Sequence, residues 1–166
     1  MMRCAPTTIL LAGVGGQGVI LAGDILAEAA FISGLDVKKS EIHGLSRRLG
    51  SVACQVRFGT PSPLCGHGAA DLLLALEVRE GLRQLPYLHD TGAAFVNRLW
   101  IGPHVEHSTA DPRVCWVDGS TRVQALGQRA NVNLFMLGVL SGLLPIKDEA
   151  WREAIRSQLP SRPPSA

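Results

Sequence analysis

The 166-residue sequence predicts an α/β fold, a mainly parallel sheet with helices on both faces in three layers. Three observations predict it. A short apolar run, Thr7 to Ala12, leads straight into the glycine cluster Gly13-Val14-Gly15-Gly16-Gln17-Gly18. A long segment with apolar residues at helical spacing follows. The chain then returns to an extended stretch. Strand, turn, helix and strand in that order make a right-handed crossover unit of a parallel sheet.

Thr7 to Ala12 (TTILLA) suits a strand buried on both faces, as parallel strands are. In the following helix Val19, Ile20, Ala22, Gly23, Leu26, Ala27, Ala30 and Phe31 form the apolar side, and Asp24 and Glu28 fall opposite. Ser33-Gly34 stops it, with Gly34 placed for a left-handed C-terminal cap. Leu35 to Lys39 reads as a second strand, and Ser40 to Gly50 (SEIHGLSRRLG) as a polar loop. From Val52 to Phe58 apolar and polar residues alternate, which predicts a half-buried strand. The prolines and glycines of Gly59 to Gly68 make a loop. Ala70 to Leu76 is read as a strand, because Glu77 to Leu85 then forms a short helix ended by Pro86. Gly92 to Asn97 and Val114 to Val117 are further short strands. Asn131 to Leu143 is an apolar helix ended by Pro145. Asp148 to Leu159 is amphipathic, with Ala150, Trp151, Ala154, Ile155 and Leu159 on one face. One domain is expected over residues 4–159, with a disordered proline- and serine-rich tail over 160–166.

Composition narrows the function. The formal charge is +2, and Lys38-Lys39 and Arg47-Arg48 are isolated basic pairs, so the clustered stripe of a nucleic-acid protein is absent. The apolar run Leu134 to Leu144 is too short to span a bilayer, and the N-terminus lacks a signal-peptide pattern. A soluble, cytoplasmic chain is expected. Cys4, Cys54, Cys65 and Cys115 form no C-x-x-C, so they read as reduced thiols rather than metal ligands.

Gly13, Gly15 and Gly18 satisfy G-x-G-x-x-G between a strand and a helix, the context in which the motif has meaning. Such a turn lets another group approach the backbone closely. The first amides of the helix have no partner within it and favour a phosphate or carboxylate. A Rossmann-like nucleotide site usually adds an acidic residue after the second strand to hold the ribose. Here Glu41 comes late, behind two lysines. The glycines could equally serve only to pack the helix on the sheet.

The other polar residues have plain readings. His43 lies between Ile42 and Gly44 with no nucleophile motif beside it, and reads as a loop anchor. Ser46, Arg48 and Ser51 could form an anion-binding cluster with Gly44 and Gly50, or a solvated turn. His67, His89, His104 and His107 have no metal-ligand spacing. Trp100, Trp116 and Trp151 read as packing residues. Glu77 and Glu80 are expected to face solvent on their short helix.

Taken together, GVGGQG at 13–18, the helix ILAGDILAEAA and VKKSEIHG at 37–44 resemble the gamma-type subunit of 2-oxoacid:ferredoxin oxidoreductases. The small (beta) subunits of indolepyruvate ferredoxin oxidoreductases are the nearest in pattern. SVACQVRFG, AADLLLAL and the helix running into Pro145-Ile146 agree, so the likeness spans roughly Ile9 to Leu159. The resemblance implies a subunit of an enzyme that oxidatively decarboxylates a 2-oxoacid, indolepyruvate or another aryl pyruvate. Coenzyme A would be the acyl acceptor and ferredoxin the electron acceptor. Thiamine diphosphate, magnesium and iron–sulfur clusters would sit in a large partner subunit, and this chain alone would bind no cofactor. By the same resemblance Gly13, Gly15, Gly16, Gln17 and Gly18 supply an anion-facing turn. Ser40, Glu41, His43, Gly44 and Ser46 line the loop beside it, with Glu41 and His43 as catalytic candidates. The family loop continues as a Gln-Arg-Gly-Gly-Ser type run. Here Arg47 replaces the Gln and Leu49 the first Gly, while Arg48, Gly50 and Ser51 are kept. Leucine resists positive φ, so a local difference in the loop backbone is expected. Two other readings remain: a stand-alone NAD(P)-binding Rossmann domain, and a non-catalytic interaction subunit that keeps the fold.

Overall fold

The computed structural model describes residues 6–43, 50–99, 109–127 and 131–159. Among these residues six strands form one sheet in the order β2-β3-β1-β4-β5-β6. They are β1 (Thr7–Val14), β2 (Val37–His43), β3 (Ser51–Phe58), β4 (Ala70–Ala75), β5 (Leu88–Asn97) and β6 (Val114–Val117). β4 runs parallel to β1, β5 to β4 and β6 to β5. β3 is antiparallel to both β1 and β2, so β2 runs parallel to β1 across it.

The helices are α1 (Val19–Ile32), α2 (Val78–Gln84), α3 (Gly119–Leu126), α4 (Val132–Ser141) and α5 (Asp148–Gln158). α1, α4 and α5 cover one face, where Ile9, Leu11, Cys54, Val56, Phe58, Leu74 and Leu76 pack against Ile25, Leu26, Met136, Leu140 and Trp151. On the other face Leu10, Ala12, Ala53, Leu73 and Ala75 pack against Val78 and Leu82 of α2 and against Leu85, Tyr87 and Cys65. The three layers and the mainly parallel sheet match the sequence expectation. None of the described helices is long and apolar enough to cross a membrane.

The elements form for local reasons. β1 is buried from Thr8 to Gly13, because helices cover both faces. α1 ends at Ser33-Gly34, where Leu35 N–H bonds Ala30 O at 3.1 Å and Gly34 N–H bonds Phe31 O at 2.9 Å. That pair of bonds is the Schellman pattern. Glu77 caps α2, its carboxylate accepting the Glu80 N–H at 3.0 Å.

Two features lie outside the sequence expectations, the place of β3 and the helix α3, and two expectations need correction. The crossover from β1 through α1 to β2 does not place neighbours side by side, since β3 is inserted between them. Residues 40–43 belong to β2 rather than to a loop, because β3 offers them a ladder as far as Val52. β3 is not half-buried: Ala53 and Gln55 are as enclosed as Cys54 and Val56, since the 59–68 loop folds over that side. There the Gln55 side chain accepts the Cys65 N–H at 2.8 Å, and Arg57 donates to the carbonyls of Ser62 and Leu64. Lastly, α3 was not foreseen. It buries only Gly119 and Val123, too few residues for a helical period to show.

Candidate functional site

The C-terminal ends of β1, β4, β5 and β6 come together at one end of the sheet. β1 leads to α1 and back to β2 on one side, while β4 lies on its other side. A crevice at such a reversal of strand order is where open α/β sheets bind ligands.

The glycine turn lies at this point. Gly15 N–H still bonds Gly50 O at 2.9 Å, extending the β1–β3 ladder. The turn then closes on itself in both directions. Gln17 N–H donates to Val14 O at 3.1 Å, and Val14 N–H donates to Gln17 Oε1 at 2.8 Å. Gly13 is needed for this closure, because a Cβ there would stand 2.7 Å from Gln17 Oε1 and 2.8 Å from a Val19 methyl. Gly18 is needed twice over. Its φ is +80°, and a Cβ would lie 2.3 Å from Asn133 Nδ2. Gly16 faces open space with φ of +95°.

Beside the turn is a cleft of about 230 Å³ lined by Gln17, Leu76, Leu99, Asn131, Val132 and Asn133. Two helix N-termini meet there. The N-cap of α1 is Gly18 and that of α4 is Asn131, and neither makes a side-chain capping bond. Apart from Leu134 N–H, which Asn133 Oδ1 accepts at 3.0 Å, their first-turn amides carry partial positive charge that favours an anion. Gln17 adds a donor: its Nε2 is buried and has no hydrogen-bond partner among the described residues.

Buried asparagines hold the surrounding elements. Asn97, fully buried at the end of β5, accepts the N–H groups of Gly119 and Ser120 at 3.1 and 3.2 Å. It donates to Leu76 O at 3.2 Å. It therefore caps α3 from a neighbouring strand and ties β4 to β5 at the rim. Asn133 donates from Nδ2 to Gly18 O at 3.2 Å. Sequence reasoning missed both. For Asn133 the available signal was a pair of amides, Asn131 and Asn133, opening an otherwise apolar helix.

Of the residues expected at the site, Gly13, Gly15, Gly16, Gln17 and Gly18 form the turn. Ser40 lies lower in the sheet, opposite Gln55, and its hydroxyl donates to Pro63 O at 3.1 Å. Glu41 is engaged by Lys39 Nζ at 2.6 Å, and Lys39 also pairs with Asp24. Burial opposes the Lys39 charge, but the bonds to Asp24 and Glu41 outweigh it and raise its pKa. The backbone of His43 ends β2, level with Val52, and its side chain lies outside the described residues. So do Gly44, Ser46 and Arg48. Ser51 shares the face of Ala53 and donates to Glu80 Oε2 at 2.6 Å, on the α2 side of the sheet. Glu77 and Glu80, expected in solvent, are 2% and 6% exposed. α2 packs directly under the sheet end, and its carboxylates serve as a cap for Glu80 N–H and as the partner of Ser51. Among the described residues no group of three His, Cys, Asp or Glu side chains converges to hold a metal ion.

A mainly parallel sheet carrying a glycine turn at its switch point defines the class, a three-layer Rossmann-like α/β domain. The chain belongs to the pyruvate ferredoxin/flavodoxin oxidoreductase family, whose model matches residues 8–165. It is 35% identical to the indolepyruvate oxidoreductase subunit IorB of Archaeoglobus fulgidus, over 93% of this chain and 86% of that one. The crystal structure of the keto/oxoacid ferredoxin oxidoreductase gamma subunit of Geobacter sulfurreducens superposes with a TM-score of 0.69 and 26% identity, over 93% of this chain and 87% of that one. A 2-oxoglutarate:ferredoxin oxidoreductase from Magnetococcus marinus, solved with 2-oxoglutarate, coenzyme A and succinyl-CoA bound, superposes with a TM-score of 0.74. There 93% of this chain matches 27% of a larger one at 21% identity, so the likeness is one of fold.

Proposed function

We propose that this chain is the small subunit of a thiamine-diphosphate-dependent 2-oxoacid:ferredoxin oxidoreductase acting on indolepyruvate or another aryl pyruvate. A large partner subunit would carry thiamine diphosphate, magnesium and the iron–sulfur clusters. Electrons would pass to ferredoxin, and the acyl group to coenzyme A. When bound in that partner, thiamine diphosphate supplies carbanion stabilisation for decarboxylation. This chain's contribution is binding. Its turn and cleft take an anionic group of coenzyme A or of the oxoacid and help close the active site over it.

The observation that carries this reading is the cleft beside Gln17. There the N-termini of α1 and α4, whose N-cap residues make no side-chain cap among the described residues, meet an amide donor without a partner in that set. Groups of that kind suit a phosphate or carboxylate. Among the expected site residues, Gly15, Gly16, Gln17 and Gly18 are the proposed contacts, and Gly13 lets the turn close beneath them. Glu41 is engaged with Lys39, and Ser40 and Ser51 bond away from the cleft, so none of these three enters the proposal.

Anaerobic co-purification of this chain with its candidate large subunit, followed by a coenzyme A-dependent dye-reduction assay with indolepyruvate, tests the reading. Activity that requires both chains is expected. A chain that ignores the partner and binds NAD or NADP by itself would overturn it in favour of a stand-alone nucleotide domain.

A further inference from the structure

We infer that Asn133 is the positioning residue of the glycine turn, the donor that fixes Gly18 and Gln17 against the cleft. A run of glycines has little conformational preference of its own, and Gly18 has no side chain with which to cap α1. The Val14–Gln17 bonds close the turn before it, and the Gly18 carbonyl takes a further tie from outside. Asn133 supplies that tie from α4, across 115 residues of sequence.

Three features support the assignment. Asn133 Nδ2 donates to Gly18 O at 3.2 Å, and the same carbonyl accepts Ala22 N–H at 3.0 Å. Both of its lone pairs are thereby used, and the first turn of α1 is held from inside and outside the helix. The amide occupies the space that a side chain at residue 18 would fill, 2.3 Å from the position of a Cβ. Its own orientation is set in turn, because Asn133 Oδ1 accepts the Leu134 N–H at 3.0 Å. The residue is only 6% exposed, and it lines the same cleft as Gln17. The anchoring stands on this geometry. Its consequence for catalysis rests on the proposed function, since holding the turn in place lowers the ordering cost of binding.

Asn133→Asp separates a donor from a space-filler, because it keeps the shape and removes the N–H. Asn133→Ala removes both. Hydrogen exchange of the turn amides, residues 15–19, is measured in the full chain and both variants. Exchange about fivefold faster or more is expected in each, as for a lost hydrogen bond to a carbonyl. The Asn133→Asp difference from wild type at the same pH should shrink on acidification, because a protonated carboxyl donates again. In the two-chain enzyme the KM for coenzyme A should rise by a similar factor with kcat little changed. Unchanged turn exchange in Asn133→Asp at neutral pH would overturn the anchoring role and leave Asn133 as a space-filler. Faster exchange with unchanged KM values for both coenzyme A and the oxoacid would support the anchor and contradict the ligand-site reading instead.

Discussion

A Cβ added to Gly23 of α1 would lie 2.4 Å from the Sγ of Cys54 on β3. The helix thus rides on the inserted antiparallel strand with no room for a methyl group. This contact helps set the height of α1 above the sheet, and with it the position of the glycine turn at its start. Gly23→Ala should destabilise the fold by roughly 1–3 kcal/mol, the usual cost of overpacking. Cys54→Ala in the same chain should recover part of that loss. Urea denaturation of the two single variants and the double variant measures the coupling.

The same burial makes Cys54 inert. Removal from water pushes its thiol up to about 12, against the opposing pull of the Lys39 ammonium. Burial also raises Cys65, while Cys115 is exposed. Thiolate is the reactive form. Brief alkylation of the native chain at neutral pH should therefore modify Cys115 and spare Cys54 and Cys65, as read by peptide mass spectrometry. Rapid modification of Cys54 in the folded chain would show that α1 does not stay docked on β3.

Asp111 and Arg113 pin the start of β6. Arg113 reaches Asp111 Oδ2 at 2.6 Å and donates to the Leu88 and His89 carbonyls at 3.0 and 3.3 Å. The side-chain hydrogen bond from Arg113 is the main cause that holds the Asp111 carboxyl down to about 2. A carboxyl depressed in the folded state stabilises fully above its unfolded value of about 3.9 and loses that contribution as pH falls through the folded value. The stability gap between wild type and Asp111→Asn should be flat near neutral pH, shrink from about pH 4 downward and vanish below about 2. Chemical denaturation at a series of pH values follows it.

Local elements were readable where the local signal was strong. Val114–Val117 forms β6 as its four-residue apolar run predicts. Asn131 to Leu143 contains α4, and the amphipathic face of α5 buries Ala150, Trp151 and Ala154. The strand order was not readable, because alternation in Val52 to Phe58 shows which side chains share a face and not which strands lie alongside. That β3 enters between β1 and β2 depends on distant packing such as Gly23 against Cys54. At the site, the glycine turn stood out because its residue types are dictated by steric need at Gly13 and Gly18. Asn97 did not, since a single amide in an apolar strand carries no period, and the Asn131–Asn133 pair reads as a helix start before it reads as an anchor. Glu77 and Glu80 were misread because a charged residue on a short helix is usually solvated. Here Glu77 is held in the interior as the cap of Glu80 N–H, and Glu80 by the Ser51 hydroxyl and an ion pair with Arg83.

The glycine turn as a ligand site is tested most directly through Gln17→Glu in the assembled two-chain enzyme. The substitution keeps an oxygen to accept the Val14 N–H, now made by Gln17 Oε1 at 2.8 Å. It replaces the unpartnered Nε2 donor with a negatively charged acceptor. If the turn receives an anionic group of coenzyme A, the KM for coenzyme A should rise about tenfold or more, as expected for losing a hydrogen bond to a charged group. A KM for coenzyme A and a KM for the oxoacid both equal to wild type, in an enzyme that assembles normally, would contradict the assignment of this cleft as the binding site.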